Sequence, residues 1–191
     1  MLGTTHKLLG AATGMVVMQV TGISPINSPV PYVGFVGMAL LGSLLPDADQ
    51  PNSTIGKELY LVWLPLYIVR GLIRVFALII PGLKAVSKVM AHRGIAHTPV
   101  FWATIGALAY LHPFIREHYF YAGALLLGVG THLVSDMVFG GIPVYFPFST
   151  KKISPGIKLK TGGYLEFMVS GICITGIMFL IYLPAIQFLK G

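Results

Sequence analysis

Long apolar runs separated by short polar segments are the feature that most constrains this chain. The last and longest covers residues 164 to 189, and another covers residues 118 to 138. A helix needs about 20 predominantly apolar residues to cross a bilayer core. The chain is 55% hydrophobic and 10% charged, and its mean hydropathy is +0.80. It is therefore too apolar for an ordinary water-soluble domain, and we expect a membrane protein.

The length of the chain limits how these runs can be organised. A chain of 191 residues has room for one helical domain rather than several modules. We predict an all-α, polytopic membrane helical bundle over residues 1–191, with about five spans. The predicted spans are residues 7–22, 32–45, 99–111, 118–138 and 164–189. In the first of them, Gly10 and Gly14 have the small-xxx-small spacing that permits close helix contact.

Residues 59 to 83 form an apolar segment that is long enough to span but carries two arginines. Arg70 and Arg74 are at i and i+4, so they lie on one helix face. Each arginine at the bilayer centre would cost about 2.5–3.5 kcal/mol. We therefore predict one interfacial or re-entrant helical segment that keeps both arginines in water. A full span remains the alternative.

The charge balance bears on orientation and on partners. Thirteen Lys and Arg against six Asp and Glu give a net charge of +7, but the basic residues lie between apolar runs. Such charge is typical of topology signals, so no nucleic-acid partner is expected. The Lys-rich loop at residues 140–161 is predicted to be cytoplasmic. The single cysteine, Cys173, excludes a disulfide framework and a thiolate metal site.

Polar side chains in or beside the apolar runs are few, and they are the candidates for chemistry because they are costly at membrane depth. His132 and Asp136 are four residues apart and therefore stack on one helix face, as a pair of ligands should. An intrahelical hydrogen bond would give the same spacing. The full set of candidate metal ligands is His6, Asp47, Asp49, His92, His97, His132 and Asp136.

Asp47 and Asp49 directly follow a helix that is expected to stop at Pro46. Two carboxylates at a helix C-terminus oppose the helix dipole, at a cost of about 0.3–1 kcal/mol each when exposed. A cation held between them would remove this conflict. A solvated turn is the alternative interpretation.

The sequence HRGIAHTP, residues 92 to 99, contains a second pair of histidines. His92 and His97 would be about 140° apart on an ideal helix, so they can share a site only where the backbone leaves the helix. Gly94 permits that departure, and Thr98 and Pro99 are suited to begin the next helix. Free N–H groups there, together with Arg93, would suit a phosphate. Histidines that serve packing alone, and an arginine that only sets topology, are the alternatives.

All seven candidate ligands come together at the inner interface if residues 59–83 do not span the membrane. Histidine and carboxylate ligands without thiolates suit Zn²⁺, Mn²⁺ or Fe²⁺. Seven ligands exceed the three or four of a mononuclear site, so we predict two or three divalent ions, most simply zinc. Ions in such clusters activate water and stabilise the leaving oxygen.

Four short motifs carry a family resemblance: THKLLG, LLPDADQPNS, HRGIAHTP, and THLVSD followed by FGGIPVYFPFS. Over about residues 4 to 149 they resemble the YdjM-type family of bacterial inner-membrane metal-dependent hydrolases. That family is similar, distantly, to zinc-dependent phospholipase C and P1-type nucleases, whose three metals are held by His and Asp or Glu. The resemblance implies phosphoester hydrolysis and assigns the seven residues to metal binding.

We therefore predict a single membrane-embedded, metal-dependent hydrolase domain in the inner (cytoplasmic) membrane. Its substrate would be a phosphate-bearing lipid or amphipathic molecule at the cytoplasmic leaflet. Arg93 would neutralise developing charge, and Asp49 would act among the bridging carboxylates. Glu166 is expected to be solvated or capping, with a role as general acid as the alternative. A non-enzymatic transporter or metal-binding protein and a structural membrane protein are the rival functions, and the oligomeric state is left open.

Overall fold

The computed structural model describes residues 2–89, 94–155 and 161–190, and these ranges are predominantly helical. They contain no β-strand, only one isolated antiparallel bridge between Ile142 and Ile153. The predicted all-α fold class is thus confirmed. Short 3₁₀ helices cover Leu45–Asp49 and Ile95–His97. The α-helices are α1 (Gly3–Val20), α2 (Pro29–Gly42), α3 (Thr54–Glu58), α4 (Tyr60–Phe76), α5 (Gly82–Val89), α6 (Pro99–Tyr110), α7 (Pro113–Glu117), α8 (Tyr119–Gly140) and α9 (Tyr164–Lys190).

Helix α8 is the centre of the fold, and it packs against α1 and α2, which also pack against each other. Glycines make these close contacts possible. A Cβ atom at Gly128 of α8 would lie 1.9 Å from the Ala39 carbonyl oxygen of α2. A Cβ at Gly10 of α1 would lie 2.6 Å from the Ser43 Cβ. The predicted small-residue contact of the first helix is therefore present, and only glycine permits it.

Two of the described helices are long and apolar enough to cross a membrane, Tyr119–Gly140 and Tyr164–Tyr182. This is fewer than the roughly five predicted. Helices α2 and α6 are apolar but have only 14 and 12 residues. At 1.5 Å per residue they measure about 21 and 18 Å, short of a core of about 30 Å. Apolar composition alone overstated the number of full-length spans.

The segment predicted to be interfacial, residues 59–83, contains helix α4 and ends within the first turn of α5. Helix α4 is amphipathic: one face exposes the apolar side chains of Leu61, Val62, Leu72 and Val75. The prediction that both arginines are kept in water is wrong for Arg70, which is 7% exposed, and right for Arg74, which is exposed. Arg70 can be buried because it is paired with Asp49.

The ends of two helices set the position of functional residues. Thr98 caps α6, since its hydroxyl accepts a hydrogen bond from the Phe101 N–H at 3.2 Å, and Pro99 follows as predicted. Helix α8 ends at Gly141, whose φ of 78° is in the left-handed region that favours glycine. The start of α6 and the end of α8 thus bring their polar residues to the same end of the bundle as the turn after α2.

Candidate metal centre

Separate parts of the sequence meet in one buried group of side chains, which we call the histidine–aspartate cluster: His6, Asp47, His97, His132 and Asp136. The three imidazoles are each at most 1% exposed. The Nε2 atom of His97 lies 3.3 Å from an Asp47 oxygen and 3.5 Å from an Asp136 oxygen. The Nε2 atom of His6 lies 3.5 Å from the other Asp136 oxygen. Five of the seven predicted ligands are therefore close together.

The tautomer of His132 follows from its contact with the end of α2. Its Nδ1 atom lies 2.6 Å from the Ser43 carbonyl oxygen. A carbonyl oxygen has no proton to give, so Nδ1 carries the hydrogen and donates it. In the neutral ring Nε2 then carries a lone pair, and the His97 Nε2 lies 3.3 Å from it. This lone pair is directed toward the cluster, where Nε2 lies 3.7 Å from Asp47 and 3.8 Å from Asp136.

The tautomer of His6 follows from a similar argument. The hydroxyl of Ser135 donates its only hydrogen to the His132 carbonyl oxygen at 2.8 Å. Its oxygen therefore accepts at 3.1 Å from the His6 Nδ1, which must carry the hydrogen. The His6 and His132 rings are stacked with centroids 3.8 Å apart. His6 Nε2 thus also presents a lone pair toward Asp136.

These groups have the properties of a metal-binding set. Buried lone pairs of imidazole nitrogen face carboxylate oxygens, and acceptors that face each other need a cation or a proton between them. Within the described ranges, His6 Nε2 is a buried atom without a hydrogen bond. Two overlapping triplets have ligand atoms within 4.8 Å of one another, and both include His132: His6, Asp47 and His132 form one, and His97, His132 and Asp136 form the other. The residues could therefore hold a metal ion, and they fit one that prefers nitrogen and oxygen.

The surrounding charges act on the pKa of Asp47. Burial raises the pKa of this carboxyl, but the hydrogen bond from His97 and the attraction of the nearby imidazoles in their protonated form more than offset burial and hold it below its usual value. Asp47 is accordingly an anion at neutral pH, which is the form that a cation requires.

Asp49 lies beside the cluster but belongs to neither triplet. Its carboxylate accepts a hydrogen bond from the Arg70 guanidinium at 3.0 Å, and its backbone carbonyl accepts another at 2.7 Å. Burial raises the pKa of Asp49, and the opposing effect of Arg70 is smaller. Both side chains line a pocket of about 300 Å³ whose other walls include Ile95 and Trp102. The structure therefore places Asp49 in an ion pair at a pocket.

Comparison with known proteins agrees with the membrane character of the chain. The sequence profile of the YdjM inner membrane protein family matches residues 1–189. The chain belongs to the YdjM family. It is 23% identical over 167 residues to the inner membrane protein YdjM of Escherichia coli strain K12, which covers 85% of this chain and 72% of that protein. The protein of the same name from Shigella flexneri matches equally well. No solved structure matches the chain.

Three residues that were assigned roles from the sequence of this YdjM family member are not among the cluster residues described above. His92 and Arg93 lie outside the described residues, so their predicted roles stay predictions. Glu166 is 2% exposed rather than solvated. Its carboxylate accepts hydrogen bonds from the N–H groups of Leu2 at 2.5 Å and Gly162 at 2.8 Å. Glu166 therefore attaches the start of α1, which carries a cluster histidine, to the residues that precede α9.

Sequence reasoning missed three residues that support the cluster: Ser43, Ser135 and Arg70. The Ser43 contact uses a backbone carbonyl, so its side chain gives no signal in the sequence. Ser135 is next to Asp136, yet the spacing does not show that it contacts His6. For Arg70 a signal existed, because a basic residue in an apolar run must find either water or an anion.

Proposed function

We propose that this protein is a membrane-embedded, metal-dependent hydrolase that cleaves a phosphoester of a lipid or amphipathic substrate at the cytoplasmic leaflet. One observation carries the proposal: His6 and His132 each use Nδ1–H to bond a group behind them, which directs the Nε2 lone pair toward the buried carboxylate of Asp136. A second partner that fixes the tautomer is typical of metal-binding histidines.

The cluster residues, and His92 with them, would hold two or three divalent ions, of which zinc fits the nitrogen and oxygen donors. When bound, such ions supply Lewis acidity toward a phosphoryl oxygen and toward a water molecule. Asp47, kept anionic, and Asp136 would balance their charge. The inner-membrane location of the named relatives supports the expectation that the substrate is met at a membrane surface.

The pocket beside the cluster would receive the phosphate end of the substrate. Arg70 lines it and supplies positive charge, while Asp49 lines it with a buried oxygen, Oδ1, that has no hydrogen bond within the described residues. Burial raises the pKa of Asp49, which makes its carboxylate a better proton acceptor, so Asp49 would take the proton released by the attacking water. Arg93 is proposed to neutralise charge that develops on the phosphoryl group.

The position of the cluster favours this function over transport. Asp47 follows α2, His97 precedes α6, and His6 is close to the start of α1. The ligands therefore lie at one end of the helices. An ion path would instead require polar groups through the middle of the bilayer. Location at the inner leaflet is part of the proposal, and it implies that the Lys-rich loop is cytoplasmic.

The experiment is a hydrolysis assay on protein purified in mild detergent and supplied with zinc. Bis(p-nitrophenyl) phosphate, p-nitrophenyl phosphate and mixed micelles of phosphatidylglycerol are tested with wild type, Asp47→Ala and His132→Ala. His112→Ala is the matched control, because His112 is exposed and outside the cluster. We expect both cluster variants to lose at least about 100-fold in rate and the control to keep its rate. A wild type inactive on all three substrates, or equal activity in the cluster variants, would overturn the proposal.

A further inference from the structure

A large apolar groove lies between α2, α6, α7 and α8, outside the histidine–aspartate cluster. Its volume is about 970 Å³, and its walls are almost wholly apolar, with Leu41, Ile105, Ala109 and Leu126 among the lining residues. This size is at the upper end of the roughly 300–1,000 Å³ of small-molecule sites. We call it the acyl groove.

The acyl groove adjoins the pocket that contains Asp49 and Arg70. Trp102 and Ile105 line both cavities. The indole N–H of Trp102 donates to the Ala96 carbonyl oxygen at 2.7 Å, so the polar edge of the ring is satisfied and its apolar surface remains for a ligand. An ion pair at one end and an apolar groove at the other match the two ends of an amphipathic molecule.

The length of the groove also points to an occupant. Along α6 its lining residues run from Trp102 to Tyr110. At 1.5 Å per residue this is about 12 Å. One leaflet occupies about 15 Å of a bilayer core of about 30 Å. A single lipid chain that stays within its leaflet therefore matches the groove in length.

We propose that the acyl groove binds one acyl chain of a membrane glycerophospholipid whose phosphate group reaches the Asp49–Arg70 pocket. The headgroup end of this inference rests on the proposed hydrolase function, whereas the acyl-chain end rests on the groove alone. Acyl chains are also the most concentrated apolar ligand available to a member of an inner membrane protein family. Within the bilayer the bound chain gains packing contacts with the groove and needs no partner for a polar group.

Gly37 of α2 offers a way to fill the groove without disturbing the fold. It lines the groove, and a Cβ atom built on it would have no atom within 4 Å. Phenylalanine at this position would extend into the groove. Gly171 of α9 is the matched control, because its Cβ would also meet nothing within 4 Å and it does not line the groove.

The test uses wild type, Gly37→Phe and Gly171→Phe in nanodiscs of phosphatidylethanolamine and phosphatidylglycerol, with a trace of phosphatidylglycerol carrying a diazirine on one acyl chain. After photolysis, labelled peptides are mapped by mass spectrometry. We expect labelling concentrated on α2, α6 and α8 residues of the groove and lowered about tenfold in Gly37→Phe alone. Labelling spread evenly over exposed apolar helix faces, or unchanged in Gly37→Phe, would overturn the inference.

A second readout separates this inference from the proposed function. Hydrolysis of p-nitrophenyl phosphate needs no acyl chain, so Gly37→Phe should keep that rate and lose hydrolysis of phosphatidylglycerol. Equal loss on both substrates would contradict a role in chain binding. Labelling does not depend on turnover, so groove-specific labelling of a wild type that hydrolyses neither substrate would refute the hydrolase while supporting the lipid site.

Discussion

The guanidinium of Arg70 lies 3.0 Å from the carboxylate of Asp49 and 2.7 Å from the backbone carbonyl of the same residue. The hydroxyl of Tyr67, on the same helix, donates to the Ala48 carbonyl at 2.9 Å. Helix α4 is thus attached to the turn that carries the cluster residue Asp47. The otherwise apolar surface of α4 remains exposed on the other side.

Replacing Arg70 by alanine should destabilise the protein because it leaves Asp49 buried and unpaired. Loss of one partner of a buried pair costs about 3–5 kcal/mol, and each kcal/mol shifts the melting temperature by about 2–4 °C at this size. Thermal unfolding in detergent should therefore show a decrease of roughly 6 °C or more. The control is Arg74→Ala, one turn along the same helix and exposed. Equal shifts in both variants would contradict the pairing.

Replacing Gly128 by alanine tests the packing of α8 on α2. The added Cβ would lie 1.9 Å from the Ala39 carbonyl oxygen, a backbone atom that cannot rotate away. We expect a loss of about 3 kcal/mol, measured as a lower melting temperature. Gly130→Ala is the control on the same helix, since its Cβ has no atom within 4 Å. It should be neutral or stabilising by about 0.5–1 kcal/mol, and a loss as large as that of Gly128→Ala would count against the packing.

Replacing Ser135 by alanine tests the hydrogen bond that fixes His6. Without the Ser135 oxygen, the Nδ1–H of His6 has no acceptor there, and its Nε2 is less well oriented toward Asp136. Loss of such a partner lowers metal affinity by about 10–100-fold. Competition with a fluorescent zinc chelator measures this affinity. Thr131→Ala, which removes only a hydrogen bond to the Gly128 carbonyl, should leave it unchanged. Unchanged affinity in Ser135→Ala would refute the assigned tautomer.

The sequence predicted much of the helical framework because apolar periodicity and terminal residues act locally. The start of α6 was predicted at Thr98 and Pro99 because threonine is preferred at the N-cap of a helix and proline in its first turn. The meeting of His132 with Asp47 was also expected, because Asp47 follows one apolar run and His132 lies in the second half of another that was predicted to end on the same side of the bundle.

Other features depend on contacts that no local pattern encodes. The burial of Arg70 requires Asp49, which is 21 residues earlier in the chain. Glu166 contacts the N–H of Leu2, which is 164 residues away. The number of full-length spans was overestimated because short apolar runs such as residues 32–45 were counted as spans, although a bilayer core needs about 20 residues. Contacts between residues that are distant in the sequence, rather than local helix propensity, decide the burial of Arg70 and Glu166.

The central claim is that the histidine–aspartate cluster binds metal, and metal content tests it most directly. Protein is purified without chelators, equilibrated with zinc, passed through a desalting column and measured by plasma mass spectrometry. The exposed His112 gives a control variant. We predict two or three zinc ions per chain in wild type and His112→Ala, and loss of at least one ion in His132→Ala, which removes the residue common to both triplets. Less than one ion per wild-type chain, or the same content in His132→Ala, would contradict the account.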